Sequence, residues 1–454
     1  MQKEKSNKID MCNGSIPKNM IIYALPLMCS GILQLLFNAA DIVIVGQFAG
    51  DNALAAVGSN TALINLLTNL FVGLSIGANV LVAQYYGAKK EKDLKETIHT
   101  SMLLSVLSGI LLTIIGILSA KQILIWMQAP EEVLKLAVVY LRIYFLGMTS
   151  TMIYNFGSAI LRAVGDTKRP LYFLLAAGVI NVVLNLLFVI VFRMSVAGVG
   201  LATAISQTIS AILVVRCLIK EQGIIHLDLK ELHIYKDKFI RILRIGLPAG
   251  FQGIVFSLSN VVIQSSVNTF GEIAVAGNSA AANIEGFVYI AMNSFYQTTL
   301  SFVSQNYGAK QYKRISKIVI SGLVCVTITG LVLGNLVVLF GKPLLSIYSS
   351  SAEVIQVGML RLQVICAFYA LCGIMEVFVG GLRGIGYSVM PMLVSLVGAC
   401  GLRLVWIATI FQIPKFHSMG TIYTSYPITW LITLLVHAVC FMYAKKKMQK
   451  RIVQ

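Results

Sequence analysis

The chain has 454 residues, 57% of them hydrophobic and only 12% charged, with a formal net charge of +18. A soluble domain carries roughly 25% charged residues, so this composition, at a mean hydropathy of +0.82, excludes an ordinary soluble fold. The apolar excess runs from end to end, as in a polytopic membrane protein and unlike a domain with one anchor.

Charge placement narrows the reading further. Lys and Arg fall in short segments between apolar stretches, and no basic face interleaved with aromatics exists, so nucleic acid is not an expected partner. The eight cysteines form no C-x-x-C pair, so neither a disulfide framework nor a zinc site is expected. The first residues, MQKEKSNKIDMCNGSIPKN, lack an apolar core segment, and no cleaved signal peptide is expected.

A transmembrane helix needs roughly 20 largely apolar residues, and about twelve stretches qualify. In chain order, the first (20–46) opens on Leu25-Pro26 and carries Gln34, Phe37, Asn38 and Asp41 on one face, at helical spacings of three, four and seven. The second (54–83) contains GLSIG at 73–77 and ends in AQYYGAKK (83–90). GLSIG fits G-x-S-x-G, but a nucleophile elbow needs a strand-turn-helix setting; Gly73 and Gly77 read as a close helix-packing face. The third (97–119) and fourth (133–157) follow, with Asn155 late in the fourth. The fifth (169–192) places Asn181 and Asn185 one turn apart, and the sixth (196–219) carries Thr203.

A basic loop at 220–241 leads into the seventh stretch (242–269), which opens on Leu247-Pro248. The eighth (275–303) carries Glu285, Tyr289, Met292 and Tyr296 and ends in SQNYGAKQ (304–311). The ninth (315–340) is followed by a tenth (353–380) holding Tyr369, Cys372 and Glu376, with Arg383 beyond. Arg403 lies in the eleventh (388–411) and His437 in the twelfth (423–444).

The string that closes the second stretch returns at the close of the eighth, at one offset (308 − 87 = 221). Leu25-Pro26 returns as Leu247-Pro248, and LRAVGDTKRP (161–170) as LRGIGYSVMP (382–391), within one residue of that offset. Such self-similarity marks a duplicated architecture. The expected fold is therefore an all-α membrane protein, with twelve transmembrane helices in two six-helix pseudo-symmetric lobes. The expected organisation is an N-lobe over 1–219, a cytoplasmic linker over 220–241, a C-lobe over 242–444 and a basic tail over 445–454. An even number of crossings per half relates the halves by an axis along the membrane normal.

Orientation follows from the loops. One side holds Lys3, Lys5, Lys8 and Lys18, Lys89 to Lys95, Lys168 and Arg169, the linker, Lys310 to Lys317 and the tail; the other offers little beyond Lys121, Arg193, Lys342 and Lys415. Positive charge marks the cytoplasmic side, which places both termini inside a multi-pass cell-membrane protein.

Intramembrane carboxylates carry the functional signal, since each costs roughly 2.5–3.5 kcal/mol at the bilayer centre. Asp41, Glu285 and Glu376 qualify, with interhelical hydrogen bonding as the plain alternative role for Asn181, Asn185 and Thr203. Arg403 is a candidate ion-pair partner for Glu285 or Glu376. The repeat counterpart of Glu376 is Asn155, so the scaffold repeats and the acids do not. Symmetric scaffold with asymmetric polar chemistry suits a transporter. No H-E-x-x-H and no Gly-rich phosphate loop with its Lys occur, so neither an enzyme, direct ATP use nor a cofactor is expected.

The sequence resembles the multidrug and toxic compound extrusion (MATE) family over nearly its whole length. The likeness rests on ALPLMCSGILQLLFNAADIVIVGQFAG (24–50), AQYYGAKK, LRAVGDTKRP, NVVLNLLFV (181–189), VAGVGLATAISQ (196–207), GLPAGFQGIVFSLSNVVIQ (246–264), AAANIEGFVYIAMNSFYQ (280–297) and GIMEVFVGGLRGIGYSVMP (373–391). The resemblance implies an antiporter exporting lipophilic, mainly cationic compounds in exchange for protons or sodium ions. Asp41 matches the first-helix acid of one branch, with Asn181, Asn185 and Thr203 as its ion-coupling partners; position 185 is often Asp there. The seventh-helix glutamate of another branch has no counterpart in IVFSLSN (254–260). Substrate contact is expected from Gln34, Phe37, Asn38, Asn155, Glu285, Tyr289, Met292, Glu376 and Arg403. The expected partners are small amphiphilic or cationic molecules and the bilayer, with the protein a monomer. The alternative, a lipid-linked saccharide flippase, calls for intramembrane basic residues, and Arg403 stands almost alone in this reading.

The charge reading is checked by labelling. A cysteine introduced at Lys415 is expected to react with an impermeant maleimide from outside intact cells. One at Lys92 or Lys313 is expected to react only after permeabilisation, and outside labelling at Lys92 reverses the orientation.

Overall fold

In lipid, every backbone N–H and C=O has to be satisfied within the chain, which leaves the helix as the default for apolar segments of this length. The computed structural model describes residues 8–127 and 130–453, and among these every regular element is helical. Lys3 and Lys5 of the expected inner tail lie outside the described residues. In order the helices are α1 (Ile16–Phe48), α2 (Asp51–Gly87), α3 (Glu91–Trp126), α4 (Glu131–Leu146), α5 (Met148–Ala163), α6 (Lys168–Asn185) and α7 (Ser195–Lys220). There follow α8 (Lys236–Asn268), α9 (Glu272–Gly308), α10 (Tyr312–Leu339), α11 (Gly341–Ser346), α12 (Ala352–Ile365), α13 (Tyr369–Gly384), α14 (Val389–Ser395), α15 (Leu402–Ala408) and α16 (Met419–Val453). Turns of π-helix, Leu186–Val191 and Leu396–Gly401, extend α6 and join α14 to α15.

Among the described residues, ten helices are long and apolar enough to cross a membrane, with α12–α13 and α14–α15 each counting as one, and the pair α4 and α5, bent by 45°, makes an eleventh. The twelfth expected span is α9. Its 37 residues are interrupted by Asn278, Glu285, Thr298, Thr299, Gln305 and Asn306, all buried. A helix polar in composition yet buried inside protein belongs at the centre of a bundle.

The described chain divides into two compact units, one of residues up to Ile9 with Cys29–Gly250, the other of Asp10–Met28 with Phe251 onward. α1 carries Pro26 and α8 carries Pro248, and each helix changes unit two residues after its proline. Proline removes one helical hydrogen bond and favours a bend at such a point. In the first unit, Leu81, Val82, Ile98, Phe156, Ile160, Val214 and Leu218 form one core cluster, and Ile44, Val45, Leu63, Leu112, Phe145 and Val196 another. In the second unit, the N-terminal segment is held by Tyr23 donating to Ser301 Oγ (2.9 Å), Asn306 Nδ2 donating to Met11 O (2.9 Å) and Arg314 donating to Gly14 O (2.9 Å).

The duplicated strings have a backbone meaning. α2 ends with Lys89 N donating to Tyr86 O and Lys90 N to Tyr85 O, each at 3.1 Å; α9 ends the same way, Lys310 N to Tyr307 O and Gln311 N to Asn306 O. This is the Schellman pattern, which requires one left-handed residue. Lys89 (φ 55°) and Lys310 (φ 57°) supply it, where glycine is the usual choice. Gly87 and Gly308 are simply the last residues of their helices.

Gly73 and Gly77 pack as the small-residue spacing implies. A Cβ on Gly73 would sit 2.2 Å from Gly250 N, and one on Gly77 2.4 Å from Ile242 O. Backbone cannot yield as a side chain can, so Gly73→Val is expected to cost at least the ~1–3 kcal/mol of ordinary overpacking. Gly58→Ala is the control, because nothing lies within 4 Å of its Cβ. Thermal unfolding of the purified variants should show a clear loss for the first and none for the second.

Candidate functional site

The polar groups of the first unit gather around Asp41. Asn185, fully buried at the end of α6, donates from Nδ2 to Asp41 Oδ1 and also to Asn181 Oδ1 at 3.2 Å. Asn181 in turn donates to Thr203 Oγ1 at 3.4 Å, and Thr203 donates to Val199 O at 3.0 Å. The four residues that the resemblance marks for ion coupling thus form one chain from α1 through α6 to α7. Its placement follows from local sequence. Gly178 lacks a side chain where Phe37 comes against α6; a Cβ there would lie 1.8 Å from Phe37 Cε2. Phe37 and Asp41 are one turn apart on α1, so seating Phe37 against Gly178 brings Asp41 level with Asn185, two turns along α6.

Immediately after Asn185 the helix widens into the π turn Leu186–Val191, a distortion frequent at functional sites. Asn185 Oδ1 is buried with no hydrogen-bond partner among the described residues. Buried polar atoms are nearly always satisfied, so this acceptor beside a carboxylate has a lone pair open to a hydrogen-bond donor or a cation. The oxygens present, from Asp41, Asn181, Asn185 and Thr203, also suit a hard cation such as sodium. The far end of α6 is anchored in a cluster where Arg169 pairs with Asp166 and, at 2.6 Å, with Glu221, and Lys8 pairs with Glu221 as well. Burial pushes the Glu221 carboxyl up, but Arg169 and Lys8 outweigh it and hold the group below the ordinary carboxylate range.

Gln34 and Asn38 are exposed on α1 and Asn155 is half-buried on α5; none makes a hydrogen bond among the described residues. They do not join the Asp41 chain.

In the second unit the arrangement departs from expectation. Glu285 pairs with Arg361 of α12, a residue absent from the expected set, through Nε–Oε1 (2.8 Å) and Nη2–Oε2 (2.7 Å). Arg361 also donates to Asn278 Oδ1 (2.6 Å), which accepts from Tyr423 as well (3.1 Å). The expected pairing of Arg403 with Glu285 or Glu376 does not occur. Arg403 instead lies over the Tyr426 ring, 3.9 Å from its centroid, and donates to Thr429 Oγ1 at 3.2 Å. Glu376 is half-buried on α13 and makes no hydrogen bond or ion pair among the described residues. Met292 is buried against Gly373, and Tyr289 is 41% exposed on α9. Arg383 donates to Tyr296 (2.7 Å) and to Gln252 Oε1 (2.8 Å). Basic residues inside the helices are therefore not limited to Arg403. His437 takes the plain role, 3.0 Å from Ser395 Oγ.

The missed residue had a signal. Arg361 stands in VGMLRLQVICAF, an intramembrane ionisable group by the same criterion that singled out the acids. No cluster of three or more His, Cys, Asp or Glu able to hold a metal exists among the described residues.

Repeated helical halves with charges buried in mid-helix define a membrane transporter. The chain belongs to the MatE family, whose model matches it twice, over residues 26–187 and again over 248–409. It is 28% identical over 448 residues to the probable multidrug resistance protein YoeA of Bacillus subtilis, covering 97% of this chain and 96% of that one. It is 22% identical to the multidrug export protein MepA of Staphylococcus saprophyticus over 84% of this chain and 86% of that one. Among solved structures, a MATE crystal structure in complex with MaL6 superposes at a TM-score of 0.92 with 20% identity, covering 98% of this chain and all of that one. An outward-facing multidrug resistance MATE transporter also reaches 0.92 at 20% identity, over 99% of this chain and all of that one. At that identity the likeness concerns the fold.

Leaving one member of a buried ion pair unpaired costs about 3–5 kcal/mol, whereas removing both is often near neutral. Glu285→Ala and Arg361→Ala are therefore each expected to lower thermal stability strongly, and Glu285→Leu with Arg361→Met to recover most of the loss. A double variant as unstable as the sum of the singles contradicts the pairing.

Proposed function

We propose that this protein is a secondary antiporter exporting lipophilic, mainly cationic compounds in exchange for protons or sodium ions. The observation that carries the proposal is the Asp41 chain: a carboxylate in the first span, held by Asn185, with an unsatisfied acceptor buried beside it. Two more facts support the reading. The family includes relatives named for multidrug resistance and export, and the aromatic interior of the second unit offers apolar contact with loose shape demands.

Coupling requires that the ion and the substrate favour different conformations, since a ligand shifts an equilibrium only by its differential affinity. Asp41 provides that difference. When it is charged, it holds the Asn185 amide and attracts a cation; when a proton or sodium ion neutralises it, the attraction is lost and the α1–α6 contact is remade around the new ligand. The carboxyl oxygen left free by Asn185 and the orphan Asn185 Oδ1 are the acceptors through which the ion enters. Thr203 and Asn181 extend the same chain of neutral oxygens. Export follows if the neutral form releases substrate outside and the charged form binds it inside.

Asp41→Asn preserves size and hydrogen bonding. It is expected to reach the membrane at normal abundance and to lose nearly all gradient-driven dye efflux in proteoliposomes, with proton and sodium gradients imposed separately. Asn185→Asp adds a second carboxylate and is expected to tighten cation binding and shift the pH optimum. Wild-type pumping by Asp41→Asn under either gradient would make Asp41 a packing residue.

A further inference from the structure

The second unit buries more positive than negative charge. Arg361, Arg383 and Arg403 are 8%, 4% and 3% exposed, and apart from Glu272 and Glu353, exposed at the starts of α9 and α12, the acids on α9, α12 and α13 are Glu285 and Glu376. Glu285 is taken by Arg361. Glu376 lies in electrostatic reach of Arg383. Arg403 is left without an acid.

An arginine offers five donors, and among the described residues Arg403 uses one, toward Thr429 Oγ1. Its Nε is buried and unpartnered. The site around it is otherwise well built. The Tyr426 ring lies 3.9 Å from the guanidinium carbon, Tyr426 meets Trp430 edge-on at 5.6 Å, and Trp430 meets Tyr369 at 5.3 Å. Cation–π contact offsets part of the desolvation of the charge, but it does not satisfy the fork of donors. That fork matches a planar, doubly accepting anion.

We infer that Arg403, backed by Thr429 and walled by Tyr426, Trp430 and Tyr369, receives the anionic group of an aromatic amphiphile carried by this protein. The group is a carboxylate or phosphate. The inference rests on the efflux reading above and narrows its substrate class.

The test uses the purified full-length protein in detergent micelles and two dyes. One is a rhodamine with a free benzoate; the other is its methyl ester, which keeps the rings and the cationic charge and lacks the anion. Wild-type protein is expected to bind the free acid roughly tenfold more tightly, as a charge-assisted hydrogen bond allows. Arg403→Gln should weaken the acid by that factor and leave the ester unchanged, and Arg403→Lys should keep part of the preference. Equal affinity of the wild type for the two dyes overturns the proposal without recourse to any variant. Equal loss of both dyes by Arg403→Gln also overturns it, since the arginine would then only support the fold. If phosphatidic acid added to the micelles abolishes the acid's advantage, the anion belongs to a lipid headgroup and the substrate assignment falls. Gradient-driven export of the ester separates the two readings. Export with indifferent binding sinks only the anion site, while selective binding without export of either dye sinks only the coupled efflux.

Discussion

A charge withdrawn from water into a helix bundle needs a partner, because its desolvation costs several kcal/mol that little else in hydrocarbon can offset. That constraint orders the interior of this protein. Glu285 and Arg361 answer it with a two-pronged ion pair, extended through Asn278 and Tyr423. Asp41 answers it with a single amide and stays open on its other side. Arg403 answers it with an aromatic face and one hydroxyl. The three solutions run from complete to incomplete, and the incomplete ones are where an exchangeable ligand gains most by binding. A closed pair stabilises; an open one can be switched.

The backbone obeys a related rule, since unsatisfied peptide groups are also costly in lipid. The structure meets it with long helices, continued through π turns where α6 and α14 would otherwise break. The halves repeat these solutions in detail. Gly50 and Gly271 enter α2 and α9 at φ 87° and 88°, Lys89 and Lys310 leave them at 55° and 57°, and Gly165 and Gly386 turn at 99° and 95°. The backbone turns recur in both halves, and the intramembrane acids do not: Asn155 stands in the first half where Glu376 stands in the second.

The sequence made the fold legible because membrane spans are long and their signal is strong. α9 was legible through the repeat as well, which placed it opposite α2 despite its polar interior. The Asp41 chain was legible because Asn181 and Asn185 share a helix face and because a carboxylate in an apolar stretch is rare. The second unit was less so. Its acids stood out, but their partners depend on which helices meet, and periodicity along one helix says nothing about its neighbours. Arg361 reaches Glu285 across 76 positions of sequence, and no local pattern predicts that. The left-handed lysines were hidden for a different reason: in AQYYGAKK the glycine draws attention, while the turn falls two residues later.

The first helix has an unusual place in the order of synthesis. Its opening residues and the segment just before it pack on parts made much later: Tyr23 on Ser301, Met11 on Asn306 and Gly14 on Arg314, at separations of 278, 295 and 300 positions. At ~5–20 residues per second, elongation separates these partners by roughly 15 seconds to a minute. For that interval Met11, Met20 and Tyr23, all fully buried in the finished protein, have no native surface to cover them. A chain interrupted before α9 would leave these side chains without the partners that bury them.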